Sequence, residues 1–322
     1  MNTESNARGE SSQASNAKSP LLAKEARSGA PASPPRGVSA TRPFYWSVRR
    51  ELMEYRSIYL APLAIGCVIV LGFGFVLRRL PETMRHPMML NLPHQRDTLS
   101  QPFDVAAGLI MAAAFIVSIF YALDCLYGER RERSILFWKS LPVSDLTAVL
   151  AKVSVLLLVL PAIAFVITAI TETVILLMSS AVVAGSGLSV AKFWAELMPL
   201  QTMSGLAYHL VTVHILWYAP LYAWLMLISA WSRRMPFLWA VLPPFAVTIF
   251  EKIAFHTKYF AGFLMARVSG GTEAVGDSGM LDPDMKMTPG HFVATPGLWF
   301  GLAFAAAFLV IAARLRRYRG PS

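Results

Sequence analysis

Few side chains in this sequence are of kinds that do chemistry, and most of them stand at the edges of long apolar runs. Glu129, Arg130 and Arg133 follow one such run. Glu129 and Arg133 are four residues apart and can pair along a helix, while Ile135, Trp138 and Leu141 recur every three residues on one face. Pro142 ends that helix; Ser144 suits the N-cap of the next one, and Asp145 in its first turn complements the dipole. The chemistry on offer here is recognition. A short amphipathic helix with an aromatic anchor either lies on lipid or fits a groove in a partner protein. A loop that only sets topology has no use for Ile135, Leu136, Phe137, Trp138 and Leu141, which reduce solubility unless something covers them.

Glu172 interrupts an apolar run, and an ionisable group there is costly to insert. It either faces a substrate cavity or is a solvated helix end near a boundary. Asp124 stands next to the Arg130 region, where a local salt bridge accounts for it better than proton transport. His209 and His214 are five apart, about 140° around an α-helix, so they do not form a metal-binding face. Glu251 and Lys252 can snorkel to an interface. Asp277, Asp282 and Asp284 lack the spacing and closing Glu of a calcium loop. Cys67 and Cys125 read as small core residues. The chain contains no glycine-rich phosphate loop, no H-E-x-x-H and no nucleophile elbow.

The elements that must position these residues are membrane spans. The composition is 55% hydrophobic and 15% charged, well below the quarter or so of charged residues in soluble domains. Runs long enough to cross a hydrocarbon core predict six transmembrane helices near 58–77, 105–126, 146–172, 206–231, 235–255 and 294–313. The fifth is the weakest, being interrupted by Pro243 and Pro244. Residues 1–42 are rich in Ser, Ala, Arg and Pro and read as a disordered tail, leaving 43–319 as the membrane domain. From Pro43, an apolar stripe through Tyr45, Val48, Leu52, Tyr55 and Tyr59 predicts an interfacial helix ahead of the first span. The fold class is therefore an all-α polytopic membrane protein. Basic clusters at Arg233-Arg234 and Arg314 to Arg319 abut spans, so the positive-inside rule places both termini and the loop between spans 2 and 3 in the cytoplasm. The net charge of +10 is distributed to set topology and to meet membrane lipids, with no nucleic-acid partner implied.

Glu129-Arg130, then Ser134, an apolar stretch, and Leu141-Pro142-Val143-Ser144 leading into a helix with Lys152 resembles the permease subunits of the type-two ATP-binding-cassette (ABC) export family. Arg133 departs from that pattern, standing where the family often has Gly. The resemblance covers Glu129 to Lys152 and implies a coupling helix, Glu132 to Ser140, docked on a separate ABC ATPase subunit, with Glu129, Arg130, Ser134, Ile135, Trp138, Leu141 and Pro142 as the ATPase-coupling residues. It further implies a bacterial inner-membrane permease that is not itself an enzyme and binds no cofactor. ATP-Mg would sit on the partner ATPase, and a second permease chain, identical or not, would complete the translocation path. Glu172 is the candidate for a transport cavity. The alternatives are a secondary carrier using Asp124 or Glu172 as an ion or proton site, and a membrane scaffold without transport activity.

Overall fold

The structure is a computed structural model in which residues 41–77, 95–132, 144–270 and 289–318 are described. Residues 1–40, expected as tail, lie outside them, as does the segment 133–143 with Ser134, Ile135, Trp138, Leu141 and Pro142. The chain divides into two units, Met1–Pro43 and Phe44–Ser322, and the packing below is that of the second.

Every regular element among the described residues is a helix, with no strand among them. Helix α1 (Thr41–Glu54) is separated from α2 (Ser57–Val76) by a short break at Tyr55 and Arg56. Helix α2 is apolar on every side, the pattern of a segment surrounded by lipid and protein. Helix α3 (Gln95–Asp124) presents small residues inward, among them Ala106, Ala107, Ala113, Ala114 and Ala122. Small residues let membrane helices approach closely, since no hydrophobic effect draws them together in lipid. A short helix α4 (Tyr127–Arg131) follows.

The third span is a continuous helix of 41 residues from Asp145 to Gly185. It comprises α5 (Asp145–Ser154), a π-helical turn (Val155–Val159) and α6 (Leu160–Gly185). Ser144 caps it as expected, accepting the Thr147 N–H at 3.0 Å. At 1.5 Å per residue the helix is roughly 60 Å long, about twice a hydrocarbon core. The helix therefore runs on past Glu172, beyond the length that one crossing needs. Glu172 is packed inside the protein and does not stop the helix, which ends instead where Gly187 adopts φ 75° and Leu188 N–H returns to Val183 O at 3.2 Å. Gly66 lets α2 lie close to this helix, because a Cβ there would stand 2.8 Å from Thr171 Oγ1.

The region expected as the fourth span, from Leu206, is helical from Val190 onward and bent. Helix α7 (Val190–Leu197) leads through Met198, at φ 43°, into α8 (Pro199–His209), a π-helical stretch (Leu210–Trp217) and α9 (Ala219–Trp231). The two parts meet at 44°. Pro220 accounts for the bend, since it has no N–H to continue the ladder and its ring crowds the preceding turn. Helix α10 (Pro236–Ala254) runs unbroken through Pro243 and Pro244, where the sequence suggested interruption. Pro244 cannot donate to Ala240 O, and the indole N–H of Trp224 does so instead at 3.2 Å.

Helix α11 (Tyr259–Val268) is too short to have been expected as a span. The Glu251 carboxylate caps its start, accepting the N–H groups of Tyr259 and Phe260, so Glu251 is a capping group and not a snorkelling one. Trp217 Nε1 and Tyr218 hydroxyl donate to Ala266 O and Val268 O at its other end. Helices α12 (Pro289–Ala294) and α13 (Pro296–Tyr318) complete the chain, and α13 packs most extensively against α9.

Five helices are long and apolar enough to cross a membrane, or six if the bent pair is one span. Phe237, Leu238, Leu242, Phe245, Phe250 and Ile253 are all exposed on α10 alone, a surface that water would not tolerate and lipid would. The protein is a multi-pass membrane protein. Its interior holds one large apolar cluster around Met111, Leu156, Val213 and Tyr222, and a smaller one around Phe73, Phe103, Ile175 and Phe193.

Candidate functional site

Charged side chains from four helices meet at one end of the bundle. Lys152, on α5, donates to Glu51 Oε1 of α1 at 2.6 Å and lies 3.2 Å from Glu129 Oε1 of α4. Arg316, on α13, reaches Glu129 Oε2 at 2.9 Å with one nitrogen and Asp145 Oδ1 at 3.2 Å with another. Arg50 approaches Glu129 from α1 at 3.5 Å and also pairs with Glu54. Glu51, Glu129 and Lys152 are each no more than 3% exposed, and Arg316 is 6% exposed. Charges this deeply withdrawn from water persist only when each has a partner. Among the described residues, Lys152, Arg316 and Arg50 stand against the carboxylates of Glu51, Glu129 and Asp145, with Arg50 shared with Glu54.

Tyrosines complete its inner wall. The Tyr121 hydroxyl donates to Glu51 Oε2 at 3.0 Å, and the Tyr55 hydroxyl donates to Asp124 Oδ2 at 3.1 Å. Their rings meet edge to face at 4.9 Å. Burial pushes the Tyr55 pKa up, so the hydroxyl stays protonated and remains a donor. Asp124 is thus satisfied by a tyrosine, not by Arg130 or Arg131 as its position suggested.

Arg130 ties a fifth helix into the same end. Its Nη2 donates to Ser229 O at 2.5 Å and Ser232 O at 2.8 Å, satisfying two carbonyls that the end of α9 leaves open. Ser229 replies with its Oγ, which accepts the N–H groups of Leu126 and Tyr127 at 3.1 and 2.9 Å. The junction between α3 and α4 is therefore held to α9 by a reciprocal set of bonds. Glu129 and Arg130, expected as ATPase-coupling residues, are both buried, and the hydrogen bonds of their side chains run inward. Sequence reasoning missed Glu51, Lys152 and Arg316 as members of one site, because each looks like an ordinary charge at the edge of a span.

Glu172 lies 20 positions along the helix from Lys152, about 30 Å at the helical rise and so about one hydrocarbon thickness away. It is 6% exposed and borders a cavity with Ser100, Phe103, Thr173, Leu176 and Thr202, so it is not a solvated helix end. Elsewhere in the bundle, His209 and His214 come together with ring centroids 5.9 Å apart. The expected separation fails because π-helical winding closes i→i+5 bonds and brings fifth neighbours onto one side. Among the described residues, no three of His, Cys, Asp and Glu are grouped so as to hold a metal.

No protein-family model, curated protein or solved structure matches the chain.

Proposed function

We propose that the chain is the permease subunit of an ATP-driven exporter of the type-two ABC kind, with ATP hydrolysed by a separate subunit. The observation that supports this is where the buried ionic cluster lies: at both roots of the segment 133–143. Glu129 and Arg130 stand just before that segment, and Asp145 and Lys152 follow it. Through them the segment is joined to α1, α9 and α13, so a push on it is delivered to several membrane helices together. That is the mechanical requirement for coupling a soluble motor to a bundle, since packed elements move between discrete arrangements and do not bend continuously. Ile135, Trp138 and Leu141 would contact the motor, whereas Glu129 and Arg130 would transmit force from inside. ATP-Mg would be held by the partner. A second permease chain would complete the path, with α1 lying at the inner membrane surface.

Trp138→Ala is expected to leave thermal stability unchanged while weakening association with the ATPase roughly thirtyfold, as loss of a hot-spot aromatic does. Co-purification of the two subunits and transport at matched expression are the readouts. Normal values for both would reduce the segment to a topogenic loop.

The basic residues flanking the spans support an orientation with the termini and the segment 133–143 in the cytoplasm. A cysteine in place of Ser278 is expected to react with an impermeant reagent in intact cells, and one in place of Ser140 to be protected. The reverse pattern would place the ionic cluster on the outer side and remove the coupling proposal.

A secondary carrier is the other reading, favoured by one observation, the burial of Glu172 in a cavity far from the ionic cluster. Transport that persists without any ATPase would select it.

A further inference from the structure

Glu172 is the one deeply buried carboxylate described here that no side chain of opposite charge approaches. It forms no hydrogen bond or ion pair with the described residues. The other buried acids, Glu51 and Glu129, are each matched by a cation. Beside Glu172 is a cavity of about 50 Å³, enough for a few water molecules or one small polar head.

The polar rim of this cavity consists of acceptors. The Ser100 hydroxyl gives its proton to Asp104 at 2.9 Å, the Thr173 hydroxyl to Ala169 O at 2.7 Å, and the Thr202 hydroxyl to the Leu197 carbonyl at 3.4 Å. Each oxygen therefore turns lone pairs, not a proton, toward any occupant. Asp104 lies within Coulomb range of Glu172 and adds a second negative charge. Such a site repels anions and rewards a ligand that brings positive charge and several donors. Phe103 and Leu176 supply apolar walls. A hard divalent metal would need six or more oxygens in a close shell, and the described residues hold no three-ligand group able to fix one.

We propose that the Glu172 cavity is a binding site for a protonated amine, with Glu172 as counter-ion and the Ser100, Thr173 and Thr202 oxygens receiving its N–H donors. The amine belongs either to a soluble organic ammonium or to a lipid headgroup. The site belongs to this chain and does not depend on an ATPase docking elsewhere, so it is tested on the permease chain alone.

The purified full-length chain in nanodiscs of phosphatidylcholine, a lipid whose headgroup has no primary amine, is titrated with radiolabelled methylammonium near neutral pH. Saturable binding is expected, weakened roughly tenfold or more by Glu172→Gln, since a charge-assisted bond is lost. Glu172→Asp should keep part of the affinity. Asp104→Asn should weaken binding to a smaller extent, and it tests the site even if the Glu172 variants fold poorly. Sodium chloride at equal concentration should not compete. Repeating the titration with phosphatidylethanolamine in the nanodisc assigns the source: a lower apparent affinity means the headgroup occupies the site, and no change means a soluble amine does. Absence of saturable binding, equal binding by Glu172→Gln in a folded protein, or displacement by sodium as effective as by unlabelled methylammonium would overturn the proposal.

Discussion

Lys152→Met lowers the stability of the purified protein by about 3–5 kcal/mol, the cost of leaving buried charge without its partner. The effect is large because this one ammonium serves two carboxylates, Glu51 at 2.6 Å and Glu129 at 3.2 Å, all three being nearly inaccessible to water. Methionine retains the length and apolar stem of lysine, so the loss comes from charge and not from a cavity. The paired change Lys152→Met with Glu51→Leu should recover most of the loss, because Glu129 keeps Arg316 and Arg50 as partners. Thermal unfolding in detergent, comparing wild type, both single variants and the double variant, measures this directly. A double variant no more stable than Lys152→Met would mean that Glu51 and Lys152 are not energetically coupled.

Arg130→Met is the second large effect, with a loss of about 3 kcal/mol expected from two buried carbonyls stripped of a charged donor. The Ser229 and Ser232 carbonyls lose the Arg130 donor at the end of α9, while the α3–α4 junction keeps the bonds to Ser229 Oγ. The comparison with Trp138→Ala separates two roles within one short stretch of sequence. Arg130→Met should lower the melting temperature with ATPase association following only as the fold is lost, whereas Trp138→Ala should do the opposite. Loss of association by Arg130→Met in a protein of wild-type stability would place Arg130 at the docking surface after all.

The helical class and most of the spans are legible in the sequence because lipid imposes a simple rule, a long run without charge. That rule fails where a charge is hidden by tertiary packing. Glu172 reads as a terminus and is an interior residue of a helix that continues to Gly185. Pro243 and Pro244 read as breaks, yet Trp224 supplies a donor from a neighbouring helix. The π-helical stretch at Leu210–Trp217 has no compositional signature, so the approach of His209 to His214 could not be anticipated. The ionic cluster was invisible for another reason. Lys152 meets Glu51 across 101 positions and Arg316 meets Glu129 across 187, and nothing local to either residue names its partner. Ser144 and Asp145, whose first roles are local, were read correctly.

The position of Arg316 bears on how the protein is made. Chains emerge from the ribosome N-terminus first, so Glu51, Glu129 and Lys152 are all synthesised long before the last helix exists. Until α13 is inserted, Asp145 and one oxygen of Glu129 wait without the guanidinium that completes them. A nascent or truncated chain without Arg316 leaves the ionic cluster one cation short, with Asp145 and one oxygen of Glu129 lacking their guanidinium. Insertion of the last helix is therefore the step that completes the cluster, because buried carboxylates are costly until each has its partner.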